Sequence, residues 1–136
     1  MDSKPYHDAL VQRLRSFGLQ EDMKISDQAA QHCEYMAKVN KEIEAPPVLL
    51  GNANQQAVLM TFIPNQSLDQ TADQILIELA RKNPQLFNPG ETIGRGVTRA
   101  GVAIRFGEET HKGRQAYISI RLAEDRSRFY PEVWLG

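Results

Sequence analysis

Apolar residues recur along this chain with two periods, and the alternation between them sets out the elements. Leu10, Leu14 and Phe17 are spaced by four and then three, the period of one helix face. The spacing predicts a first helix over 6–17, closed by Gly18, where a left-handed cap is usual. Ala29, Ala30, Cys33, Met36 and Ala37 fall on one stripe of a second helix. Ser26 is the expected N-cap of that helix, and Ala45-Pro46-Pro47 is expected to break it. Leu68, Ala72, Ile75, Leu76, Leu79 and Ala80 make a wide apolar face on a third helix. Ser67 and Gln70 supply a capping box at its start, and Pro84 lies just past its end.

The other period is two. QAVLMTFI, residues 56–63, is a short apolar run bounded by Asn-rich and Pro-Asn signals and reads as a buried strand. VTRAGVAIRF, residues 97–106, places Ala100, Val102, Ile104 and Phe106 on one face and Arg99, Gly101, Ala103 and Arg105 on the other. Residues 115–122 repeat this, with Ala116, Ile118, Ile120 and Leu122 inward. The polar connection GEETHKGR predicts an antiparallel hairpin with a mobile loop. The order helix, helix, strand, helix, strand, strand gives an α+β layout. Three main helices pack on a small, mostly antiparallel sheet of about three strands.

Composition adds limits. With 136 residues, 41% apolar and 24% charged, the chain suits one domain, 1–136, with one core. A net charge of −1 gives no pull towards nucleic acid or an anionic membrane surface. The cluster Arg121, Arg126 and Arg128 is interleaved with Glu124 and Asp125 and reads as a solvated edge. No apolar stretch approaches the ~20 residues of a membrane span. The N-terminal MDSKPYHDAL lacks an apolar signal core, so the chain is either cytoplasmic or exported with its signal peptide absent from this sequence. The aromatic tail RFYPEVWLG, within residues 123–136, is expected to fold back on the core, and left exposed it would be a partner site.

Candidate chemistry is thin. Cys33 is flanked by His32 and Glu34, but adjacent helix positions point roughly 100° apart, so a buried thiol is favoured over an activated nucleophile. His7, His32 and His111 fall on three separate elements, and His111 with Glu108 and Glu109 reads as a solvated turn. Gly90, Gly94 and Gly96 precede a strand, the reverse of a phosphate-cradling order, and read as turn residues. Asn52, Asn54, Gln55 and Gln56 offer paired amide donors and acceptors suited to a polar ligand such as a glycan or a peptide backbone. A polar loop before a strand is the plainer account of the same residues.

Four segments resemble the CAP superfamily (cysteine-rich secretory, antigen 5, pathogenesis-related) in its bacterial SCP-like form. RSFGL is similar to the end of the family's opening helix, and ISDQAAQHCEYMAK resembles its second helix with the A-x-x-x-A-x-x-M-A pattern. LARKNPQLFNP resembles the segment with W-x-x-S-P-x-H-R and N-x-x-x-P, and VTRAGVAI the strand F-T-x-V-G-V-G-V. The resemblance implies an α-β-α sandwich, with the Ser67 helix on the face opposite the first two helices. It also implies a pocket of two histidines and two acids able to hold a divalent metal such as zinc. Here Glu44, Ala45 and Pro46 stand where the first histidine belongs. Gly51-Asn52-Ala53-Asn54 replaces G-E-N, and 84–86 has no histidine. The resemblance therefore implies the scaffold without its metal, and no cofactor is expected.

Two functions follow. One is a non-catalytic, exported binding or interaction domain for a polar small ligand, glycan, peptide or another protein, using Asn52, Asn54, Gln55, Glu78 and His32. The other is a hydrolase of cell-wall or peptide substrates, with a rearranged site near Asn52, Asn54 and Glu78. A cytoplasmic α+β domain unrelated to the family is a third alternative.

Overall fold

A computed structural model describes residues 2–44, 55–63, 66–84 and 97–124. Its elements run α1 (Lys4–Arg15), β1 (Gln20–Glu21), α2 (Met23–Val39), β2 (Gln55–Ile63), α3 (Leu68–Lys82), β3 (Val97–Thr110) and β4 (Gly113–Glu124). Among the described residues the class is α+β: three helices on a mixed sheet in the order β1-β3-β4-β2, four strands where about three were expected. The added strand, β1, is two residues long and pairs in parallel with β3, too short to leave a periodic signal.

The core explains the layers. Ala100, Val102 and Ile104 of β3, Ala116, Ile118, Ile120 and Leu122 of β4, and Ala57, Leu59 and Ile63 of β2 share one face. Against it pack Leu10 and Leu14 of α1 and Ala72, Ile75 and Leu79 of α3. The opposite face, with Ala103 and Tyr117, receives Ala29, Cys33 and Met36 of α2. Thus α1 lies beside α3, not beside α2 as the resemblance implied. Arg13 fixes the pair through Asp73 at 2.6 Å and Asp69 at 3.4 Å. Gly18, at φ 81, then turns the chain past the sheet edge, and β1 delivers it to the other face.

Local chemistry accounts for the boundaries. The N-cap of α2 is Asp22, not Ser26. The Asp22 carboxylate accepts from the backbone N–H of Lys24 and Ile25, and Arg99 at 2.7 Å holds it below the usual carboxylate range. Ser26 is buried one turn later. Its hydroxyl donates to Glu21 at 2.5 Å and accepts from the N–H of Val102 at 2.9 Å. Helix α2 ends at Asn40 in the left-handed conformation, φ 54, ahead of the prolines expected to stop it. The Ser67–Gln70 capping box forms as expected. The hairpin is longer than the alternation suggested: most of GEETHKGR is strand, and only His111 and Lys112 form the turn.

The second face of the sheet depends on one glycine. A Cβ placed on Gly101 would sit 2.3 Å from the carbonyl carbon of Ile25. Only hydrogen at that position lets the first turn of α2 lie on β3.

Candidate functional site

Beneath α2 lies a polar row that the alternation of β4 creates. Tyr117, Ser119 and Arg121 point to this face and are all buried. Arg121 corrects the expectation of a solvated edge. It is paired in register with Gly101 and Gln56, is roofed by α2, and donates to Gln28 Oε1 at 2.8 Å. Arg126 and Arg128 lie outside the described residues.

His32 is also fully buried in this row. Its Nε2 lies 2.7 Å from the carbonyl oxygen of Ile43, and its Nδ1 lies 3.1 Å from Ser119 Oγ. A carbonyl only accepts, so Nε2 carries the proton and Nδ1 accepts from the Ser119 hydroxyl. Burial, aided by the nearby Arg121 charge, lowers its pKa and keeps the ring neutral, while the bond to Ile43 opposes that trend. His32 is thereby a strut that ties the segment after α2 to the sheet.

Ile43 is also one wall of an open cleft of about 230 Å³, with Glu42, Glu44, Gln56, Val58, Lys82 and Asn83. Three elements meet here: the segment after α2, the start of β2 and the C-terminal end of α3. Lys82 is paired with Glu42, and its Nζ is 3.4 Å from the carbonyl oxygen of Val58. Burial lowers the Lys82 pKa. Gln56 Oε1 is buried with no hydrogen-bond partner among the described residues. Asn83 donates to the Leu79 carbonyl at 3.3 Å. The cleft therefore presents two carboxylates, an ammonium and two amides, a set suited to a ligand bearing both donors and acceptors.

Of the residues selected from sequence, Asn52 and Asn54 lie outside the described residues. Gln55 opens β2 opposite Leu122. His32 stands behind the cleft rather than in it. Glu78 sits on α3, paired with Arg81 at 3.0 Å, and lines a tight crevice between α3 and β2. Its side of the sheet is the one opposite α2, so Glu78 and His32 do not converge. Glu42, Lys82 and Asn83 were missed because each reads as an ordinary solvated helix end. Their one signal in the sequence was Pro46-Pro47 after Glu44, which rules out a helix continuing through this part of the chain.

Among the described residues no base is hydrogen-bonded to Cys33. Its thiol approaches the Ala103 carbonyl at 3.5 Å, and burial pushes its pKa up to about 12. His32 is committed to Ile43 and Ser119. His7 bonds Glu21 at 2.7 Å on the far side of the fold, and His111 is exposed in the β3–β4 turn. No three His, Cys, Asp or Glu side chains among the described residues are grouped to hold a metal ion. No helix among them is long and apolar enough to cross a membrane. No protein-family model matches this chain, and comparison with curated proteins found no match either.

Proposed function

We propose that this chain is an exported, non-catalytic binding domain of the CAP/SCP-like type. It takes a polar ligand, a glycan or a peptide backbone, in the cleft between the end of α3 and the start of β2. The observation that carries this reading is the convergence around one opening of Glu42, Lys82, Asn83 and the Gln56 carbonyl, which has no hydrogen-bond partner among the described residues. A buried acceptor without a donor costs about 1–3 kcal/mol, which a ligand N–H or O–H offsets on binding. The family reading rests on the four resembling sequence segments alone, since the placement of α1 beside α3 runs against it; Asn52 and Asn54 immediately precede the cleft strand in sequence. The cleft groups act as hydrogen-bonding and ion-pairing partners.

Calorimetric titration tests this with three probes: a chitin tetrasaccharide, a peptidoglycan muropeptide and zinc chloride. Saturable binding of one organic probe, weakened at least tenfold by Lys82→Met or Gln56→Leu, is the expected result. Zinc is expected to show no stoichiometric site. Tight one-to-one zinc binding, or turnover of the muropeptide, would overturn the proposal.

A further inference from the structure

The cleft between Glu42 and Asn83 opens on the edge of the sheet, and the strand pairing fixes which backbone groups face it. The carbonyl of Ala100 accepts from the N–H of Asp22, and the N–H of Val102 donates to Ser26, so these two residues face away from β4. Gly101 and Ala103 therefore face β4, and their partners Arg121 and Ser119 face back. That leaves Leu122 and Ile120 facing β2, opposite Gln55 and Ala57. Gln56 and Val58 must turn their N–H and C=O groups out of the sheet, towards the cleft that both line.

Different neighbours meet these two residues. Helices α2 and α3 pack on opposite faces of the sheet. Glu42, from the segment after α2, and Lys82, from the end of α3, pair around the edge at Val58, where Lys82 Nζ lies 3.4 Å from the carbonyl oxygen. That pair closes the edge beyond Gln56. Gln56 keeps its outward N–H and C=O, and among the described residues no backbone group outside β4 pairs with it. Its buried Oε1, also without a partner among them, is a third open group.

An outward strand residue offers a donor and an acceptor in the plane of the sheet, spaced to exchange two hydrogen bonds with one residue of an extended chain. A sugar finds less here. Its ring buries a C–H face on a flat aromatic surface, and none of the described lining residues is aromatic. The charge of the lining also selects. Glu42 and Glu44 stand against Lys82 alone, a balance of −1. Glu42 is taken by Lys82, while Glu44 is exposed and makes no ion pair among the described residues.

We propose that the ligand of this cleft is a short extended peptide carrying a basic side chain, which adds to the sheet edge at Gln56 and sets its cation beside Glu44. The assignment rests on the cleft being the ligand site and narrows its ligand to one class. The peptide exchanges two backbone hydrogen bonds with Gln56, and a further N–H reaches Gln56 Oε1. The Glu42–Lys82 pair stays in place and ends the run along β2.

An NMR titration of the isotope-labelled full chain with acetyl-Ser-Val-Lys-Val-Ser-amide tests it, carried to about 5 mM so that a millimolar Kd is reached. The Gln56 amide proton should move downfield on saturation, and its exchange with solvent should slow at least tenfold. Methylating the central backbone nitrogens of the peptide should weaken binding at least tenfold, and so should glutamate in place of its lysine. Glu44→Gln, at an exposed position, should keep the parent's spectrum elsewhere and lose the preference for lysine over glutamate. Equal binding of the methylated peptide, or of the lysine and glutamate peptides, would overturn the proposal. Should a chitin tetrasaccharide shift Gln56 and Lys82 while the peptide does not, the cleft stands as a ligand site and the peptide assignment falls. Should neither probe move them, both readings fall.

Discussion

Replacing Gly101 with alanine tests the account of how α2 meets the sheet. The added Cβ would lie 2.3 Å from the Ile25 carbonyl carbon, 2.4 Å from its Cγ2 and 2.5 Å from its carbonyl oxygen. Carbon atoms pack at about 3.5–4.0 Å, so α2 must lift by roughly 1 Å. Two of the three atoms are backbone, so no rotamer change relieves the clash. The lift strains contacts made by the same turn: Asp22 N–H to the Ala100 carbonyl at 2.8 Å, Val102 N–H to Ser26 at 2.9 Å, and Arg99 to Asp22 at 2.7 Å. Overpacking alone costs about 1–3 kcal/mol. With these bonds weakened as well, the expected loss is about 3–4 kcal/mol, or roughly a 10–15 °C fall in Tm for a domain of this size. Urea unfolding should show the midpoint lowered by about 1.5 M at a slope near 2 kcal/mol per M. Gly107→Ala is the control on the same strand, since its added Cβ meets nothing closer than 3.6 Å. It should fall within about 0.5 kcal/mol of the parent. A Gly101→Ala loss below about 1 kcal/mol, or an equal loss at Gly107, would refute the close-approach reasoning.

Two further predictions concern buried titratable groups on the same face. Cys33, its thiol pushed up to about 12 by burial, should resist iodoacetamide at pH 8 in the native chain and react fully in urea; prompt native labelling would contradict its burial. His32 is held neutral with a lowered pKa, so the unfolded chain binds a proton near pH 6.5 that the native one does not. Its contribution to stability is present above about pH 6.5 and is lost as pH falls through the lowered native value, with a slope of at most about 1.4 kcal/mol per pH unit. The gap in unfolding free energy between parent and His32→Gln should therefore shrink from pH 7.5 to pH 5, and a gap constant with pH would refute the neutral-ring assignment.

The core helices and strands were legible because their side chains follow one period over many residues. Leu10 and Leu14, Ala72 to Leu79, and Val102 to Ile120 all bury the face the periodicity assigned. Contacts between elements were less legible. Arg121 read as solvent-facing because its sequence neighbours are charged, yet its environment is set by Gln28, far away in the chain. Ser26 read as a cap because serine caps helices, but Asp22 stands one turn earlier and the Ser26 hydroxyl instead takes up a strand N–H. The cleft was the least legible part. Glu42, Lys82 and Asn83 come from two helix ends that only the packing of α3 against β2 brings together.

The first turn of α2 has a consequence at the level of assembly. By giving the N–H of Val102 a hydroxyl partner and the carbonyl of Ala100 an amide partner, Ser26 and Asp22 cap one flank of the sheet as a hem closes a cloth. Further along β3, the irregular register between Phe106 and Glu109 breaks the flatness that a neighbouring strand would need. At Ala100 and Val102, therefore, the short strand β1 and the first turn of α2 stand where a further strand would otherwise pair.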